Sequence, residues 1–210
     1  MQKPCALFEF PKVLIIIFLL SLVLTANGQS KREKGEMRNG RREGLWEYFY
    51  PDGRIMAKEN YLNGEQNGLS TGYFPDGTIS QLENWKNDLQ QDSSWYFHPN
   101  GKLFRKGRYE SGVYQGLWFS FYANGKLEQS GSYLNGMPEG LFQNWYENGG
   151  LKEEGYYRDG KKDGQFIFYR PQKTRIQLVA NYFMDKPCGT WIYFNRRGKK
   201  GKAEPAPVFN

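Results

Sequence analysis

Histidine and cysteine are almost missing from this chain. Its 210 residues hold one of the first, His98, and two of the second, Cys5 and Cys188. A zinc site would therefore need mostly carboxylate ligands, and histidine-centred acid–base chemistry has one imidazole to work with. Apolar residues make up only 39% of the sequence, too few to imply one large core. Long apolar runs are also absent, with a single exception from Val13 to Leu24. That run is shorter than the ~20 residues a membrane-spanning helix needs. Aromatic residues and glycine are plentiful: rings supply 17% of the chain, and there are 25 glycines.

The apolar run belongs to a separate N-terminal object. Lys3 and Lys12 precede it, and Thr25, Ala26, Asn27 and Gly28 follow. A basic start, about a dozen apolar residues and a small-residue exit describe a secretory signal peptide over residues 1–28. Cleavage is expected after Gly28, with Ala26 as the alternative; an uncleaved anchor is the competing reading. Loss of Lys3, Lys12 and Glu9 lowers the formal charge from +7 to +6. Cys188 is then the one thiol left, so no internal disulfide can form. It either packs as a small apolar residue or pairs with a partner.

Beyond a basic linker at 29–34, the chain repeats with a period of 24 residues. Rows open at Gly44, Gly68, Asp92, Gly116, Gly140 and Gly164, and after one inserted residue at Gly189. Turn glycines recur at Gly53, Gly77, Gly101, Gly125, Gly149 and Gly198, and the sixth position of every row is a ring, from Phe49 to Phe194. Such a period means a repeat architecture that grows in one dimension. A residue recurring in each row is part of the packing unit, so local sites can only be departures from the period.

One row, Gly116 to Glu139, contains two strands. Leu117-Trp118-Phe119-Ser120-Phe121-Tyr122 alternates as a strand does, and Ala123-Asn124-Gly125 turns the chain. A second strand runs to Tyr133, and Asn135-Gly136 turns it again. In-strand glycines at Gly107, Gly131 and Gly155 are costly unless something must approach the backbone closely, and the periodic rings are the candidates. The expected fold is all-β: an elongated antiparallel meander or solenoid of stacked hairpins, roughly 12–14 strands, over residues 35–198. The basic, proline-containing residues 199–210 read as a disordered tail. Lys173 replaces a turn glycine in the sixth row, beside the inserted residue, so that tip should be irregular.

The pattern Gly-x-Tyr-x-x-Gly-x-x-x-Gly-x-Trp-x-x-Tyr/Phe-Tyr-x-x-Gly resembles the MORN (membrane occupation and recognition nexus) repeat in its bacterial variant form. Gly131-Ser132-Tyr133-Leu134-Asn135-Gly136, then Gly140, Trp145-Tyr146 and Gly149, carries the resemblance, as does Gly155 to Gly164. It covers residues 35–198. Bacterial relatives are often labelled antitoxin-like, and MORN arrays elsewhere are non-enzymatic scaffolds binding lipids or proteins. The resemblance implies no catalytic residue and no cofactor.

Local candidates are few. His98 stands at a ring position of its row and reads as a ring replacement; Ser93 and Ser94 are near in sequence only. Glu153 and Glu154 point to opposite faces of a strand, which is poor for acid–base work on one bond. The glycine-rich loops open no helix, so a phosphate loop is excluded. Rows two and three depart most: Ser70 and Ser94 replace large rings, and Glu59 and Glu83 stand in glycine positions. This is either drift or a shallow ligand patch bordered by Ser70, Tyr73, Trp85, Ser94, Trp95 and His98. Basic residues gather at both ends, from Lys31 to Arg42 and from Arg196 to Lys202. They are solubility charge or contacts for an anionic surface. Nucleic acid is disfavoured because the rings are periodic and export removes that substrate.

The expected function is an exported, non-enzymatic β-repeat binding or scaffold protein of the cell envelope, periplasmic, outer-surface or secreted. It would be a monomer with no cofactor, no metal and no spanning segment after cleavage. Its partner would be a protein or an anionic lipid or polysaccharide surface. The alternative is an aromatic repeat array that binds cell-wall polysaccharide.

Overall fold

The protein, analysed as a computed structural model, is described over residues 32–171 and 175–207. The leader at 1–28 and the sixth-row tip at Lys173 lie outside the described residues. Among the described residues the chain is all-β, one open antiparallel sheet in which successive hairpin arms pair in sequence order. The strands are β1 (Glu33–Arg38), β2 (Arg41–Phe49), β3 (Ile55–Leu62), β4 (Glu65–Gln66), β5 (Gly68–Tyr73) and β6 (Ile79–Lys86). Then come β7 (Leu89–Gln90), β8 (Asp92–Phe97), β9 (Leu103–Glu110), β10 (Val113–Phe121), β11 (Leu127–Leu134) and β12 (Met137–Trp145). The last five are β13 (Leu151–Arg158), β14 (Lys161–Tyr169), β15 (Ile176–Phe183), β16 (Lys186–Phe194) and β17 (Lys200–Pro205).

Seventeen strands exceed the expected twelve to fourteen for two reasons. The strands that lead into rows two and three are interrupted at Asn67 and Gln91, just before Gly68 and Asp92, which separates β4 from β5 and β7 from β8. The expectation of a disordered tail is also corrected: Lys200–Pro205 pairs with β16, Trp191 opposite Glu204. The free edge of β16 offers unpaired backbone groups that the tail satisfies. At the other end, Glu33 and Lys34 of the expected linker belong to β1.

The row-opening residues explain how the rings are aimed. Gly116, Gly140 and Gly164 have φ of +68°, +81° and +98°, and Asp92 takes the same left-handed region at +61°. Each makes a bulge. Between β11 and β12 the pairing jumps from Ser132↔Glu139 to Ser130↔Gln143, so Gly131 faces three residues. The bulge turns Phe142 onto Gly131, and a Cβ there would run into the ring. Trp46 covers Gly35, Trp118 covers Gly107 and Phe166 covers Gly155 in the same way. Ala180 fills the glycine position before Trp191 and is itself fully buried. The indole N–H of Trp118 donates to the Arg108 carbonyl at 3.1 Å, using an acceptor the bulge frees from the ladder.

The rings form a second continuous contact. Tyr133, Phe142, Tyr157, Phe166 and Tyr182 follow one another edge-to-face at centroid separations of 5.4, 4.9, 5.5 and 5.3 Å. Trp118, 3% exposed, and Phe166 are buried although the sheet is a single layer. Burial of such a side chain contributes about 1.5–3 kcal/mol, so the ladder is the core.

Two rails of polar bonds tie row to row. At the tips, Tyr50, Tyr122 and Tyr146 donate their hydroxyls to the carbonyls of Tyr73, Trp145 and Tyr169, at 2.7, 2.6 and 2.8 Å. At the opposite hairpin ends, Asn63, Asn135 and Asp159 have positive φ. Their amides donate to Glu43, Gln115 and Glu139 at 2.9, 3.0 and 2.9 Å.

Replacing Gly131 with valine should lower stability by about 3 kcal/mol, the upper end of overpacking, because Phe142 cannot leave without breaking two ring contacts. Ser132→Val, one residue along and on the other face, should change it by less than about 1 kcal/mol. Equal shifts in urea midpoint for the two variants would contradict ring-over-glycine packing.

Candidate functional site

The six residues marked as a candidate patch do not come together. Strand alternation puts Ser70, Trp85 and Ser94 on the ring-bearing face and Trp95 on the opposite one. Tyr73 and His98 belong to the tip rail. Tyr73 supplies the carbonyl that Tyr50 reaches, and His98 donates from Nε2 to the Phe121 carbonyl at 2.7 Å. Since a carbonyl only accepts, the proton sits on Nε2. The imidazole therefore does the work of the tyrosines at Tyr50, Tyr122 and Tyr146, and it also meets the Phe104 ring edge-on at 5.0 Å. Ring replacement is the right description of His98.

The expected depression beside Ser70 and Ser94 does not exist. Ser94 is 0% exposed, Ser70 3% and Glu83 5%. The space a ring would fill at Ser94 is taken by the Glu83 side chain. Its carboxylate accepts from the Tyr96 hydroxyl at 2.6 Å, the Gln90 amide at 2.7 Å and the Trp85 indole N–H at 3.2 Å. Tyr109 continues the network, its hydroxyl 3.2 Å from that of Tyr96. Burial, then the neighbouring Glu83 carboxylate, drives the Tyr96 phenol far above its ordinary value. Burial likewise pushes Tyr109 up to about 12. Both stay neutral donors through the physiological range.

One row earlier the Tyr61 hydroxyl donates to Glu59 at 2.6 Å and lies 3.0 Å from that of Tyr48. Arg42 donates to Tyr48 at 2.9 Å and to Glu33 at 2.9 Å, with its guanidinium 4.6 Å from the centre of the Trp46 ring.

Drift is not the explanation either. Glycine slot and ring slot lie eleven residues apart in every row: Gly35/Trp46, Gly107/Trp118, Gly131/Phe142, Gly155/Phe166 and Ala180/Trp191. The two exceptions, Glu59/Ser70 and Glu83/Ser94, are exchanged at both ends of the pair. Independent loss would leave glutamate under a ring or serine over an empty glycine. The departures are matched packing units in which a hydrogen-bonded carboxylate replaces an aromatic ring. The signal was present in the sequence as that spacing.

The carboxylates of Glu59 and Glu83 are engaged by phenols, an amide and an indole rather than aimed at an opening. Among the described residues no group of three His, Cys, Asp or Glu side chains could hold a metal ion. No described helix is long and apolar enough to cross a membrane, which leaves strand-built spans unaddressed. Cys188 is a half-buried free thiol in β16, opposite Asn181.

The family described as MORN repeat variant matches residues 42–63, 66–87, 114–135 and 138–159. The chain is a MORN-repeat protein. The matched copies include the Glu59 row and the row carrying Ser70 and Glu83, while residues 88–113, with Asp92 and Ser94, fall between matches. No curated protein matches the chain. Among solved structures, a mutant of Staphylococcus aureus TarM in complex with Fondaparinux, alpha-GlcNAc-glycerol and UDP aligns at 14% identity. The alignment covers 62% of this chain and 24% of that one, with a TM-score of 0.33. The chain spans about a quarter of that protein's length. At that TM-score the likeness carries no argument.

Ser94→Trp alone should destabilise the array by about 2–4 kcal/mol, because the new indole meets the buried Glu83. Adding Glu83→Gly should recover most of the loss, giving a coupling energy of roughly 2 kcal/mol between sites eleven residues apart. Additive effects in thermal unfolding would show the two slots to be independent.

Proposed function

We propose that the chain is an exported, non-enzymatic binding or scaffold protein of the cell envelope, with a protein or an anionic surface as partner. One observation supports this reading above the others. The ring-bearing face and both hairpin ends are committed to row-to-row contacts, while the opposite face is uncovered and periodic. Leu45, Leu69, Leu117 and Leu141 recur there at the second position of their rows, 49, 49, 61 and 40% exposed. A rigid array with a repeating exposed face suits recognition of an extended partner, and polar groups already bound to one another are unsuited to turnover. The leader-like residues 1–28 support export, and the basic ends support an anionic surface.

Polysaccharide binding is the second reading. It is favoured by one side chain on the uncovered face, the exposed ring of Trp95 beside Lys106.

The test is fractionation from the native host followed by N-terminal sequencing and capture. The expected mature chain begins at Gln29, or at Asn27, and is retained with envelope material. An intact chain still carrying Val13 to Leu24, or a chain recovered in the cytoplasm and idle towards envelope fractions, overturns the proposal.

A further inference from the structure

On the uncovered face, three side chains particular to the third row meet at one place, a shallow open depression of about 320 Å³ across β8, β9 and β10. Ser93 stands where the neighbouring rows carry Leu69 and Leu117, which lowers the floor. Trp95 stands where those rows carry Thr71 and Phe119. Arg108 stands where Asn60, Asn84 and Asn181 act as struts, each donating its amide to a carbonyl nine residues on, at 2.7, 3.0 and 3.0 Å.

The register brings these residues side by side. Lys106 is directly opposite Trp95 on one side and Phe119 on the other, its ammonium 5.5 Å from the centre of the Phe119 ring. Arg108 is opposite Ser93. Leu117 closes the far wall. Among the described residues Lys106 makes no ion pair, and Arg108 has only a loose one, 3.8 Å from Glu110 with both side chains more than half exposed. Trp95 is 36% exposed. The depression is therefore an exposed indole, two cations with little to neutralise them, and one hydroxyl.

We propose that this depression binds a carboxylate-bearing sugar chain. The proposal rests on the binding-module reading and names its ligand class. An open, flat indole suits the C–H face of a pyranose ring, as it would any weakly polar flat surface. The Arg108 guanidinium can fork onto a carboxylate while the Lys106 ammonium meets it as a point charge. Ser93 can both donate to and accept from a sugar hydroxyl.

Other occupants fit less well. A peptide cannot add as a strand, because β8, β9 and β10 are paired on both sides and offer no edge. A flat anionic membrane would also meet Glu47 and Glu154, which project from this same face. Two cations and one exposed ring are too few for a nucleic-acid track.

The experiment titrates the purified full chain with oligogalacturonate of defined length, by calorimetry and tryptophan fluorescence. Controls are the carboxyl-reduced oligosaccharide, polyglutamate and phosphatidylglycerol vesicles. Oligogalacturonate should bind with a salt-dependent affinity that the carboxyl-reduced form lacks. Trp95→Ala and the pair Lys106→Gln with Arg108→Gln should each weaken it at least tenfold. Ser93→Leu, which restores the row's usual residue and so keeps the fold, should also weaken it at least tenfold with the unfolding midpoint unchanged. Undiminished binding by folded Ser93→Leu, equal affinity for the carboxyl-reduced sugar, or equal capture of polyglutamate or vesicles overturns the site. If these variants still retain native envelope material as wild type does, the binding-module reading stands while the sugar site falls.

Discussion

Most of this array depends on a ring lying flat on a strand that has at most a methyl group beneath it. An open single-layer sheet has no second layer to hide its apolar face, so its rings must be shielded by their own neighbours. Glycine at the contact lets Phe142 or Trp118 approach the backbone itself, and the bulge at the row-opening glycine supplies the angle. Neither element works without the other. A flat ladder would send Phe142 straight out from the sheet, and a Cβ at Gly131 would hold it off. The edge-to-face ladder from Tyr133 to Tyr182, and the burial of Phe166, follow from that local geometry.

Because each row is closed by its neighbours, the hairpin ends carry more responsibility than ordinary loops. The tyrosine rail at the tips and the carboxylate or amide rail at the other end fix the separation of successive rows. His98 and Arg170 show how undemanding the tip rail is of identity: a phenol, an imidazole or a guanidinium supplies the donor. Phe74, in the same position, keeps the ring and does without the bond.

Much of this was legible beforehand. The period, both turns, the meander and the ring-over-glycine contact all have residue signatures, because glycine and aromatic side chains are needed at fixed positions. The tip rail was not legible, since its acceptors are backbone carbonyls, which every residue possesses. The candidate patch failed for a related reason. Ser70 and Ser94 look like gaps when rows are compared position by position, and become filled only when Glu59 and Glu83, on the preceding strand, are read with them. Trp95 was read only as a border of that patch, and strand alternation sends it to the face opposite Ser94. The β17 strand was missed because Lys200, Lys202 and Pro205 argue against a strand on composition, and it exists because β16 offers an edge.

The glutamate–serine exchange has a consequence for how such a chain finds its alignment. Rows this alike could in principle pair one step out of phase, within one molecule during folding or between two molecules at high concentration. A shift of one row towards the N-terminus would set Trp118 upon Glu83 and leave Ser94 above Glu59, trapping a desolvated carboxylate against an indole. Only one phase gives each glutamate a serine and each ring a glycine or alanine. Two polar rows in an otherwise aromatic ladder thus act as an index mark that distinguishes the native alignment from its near copies.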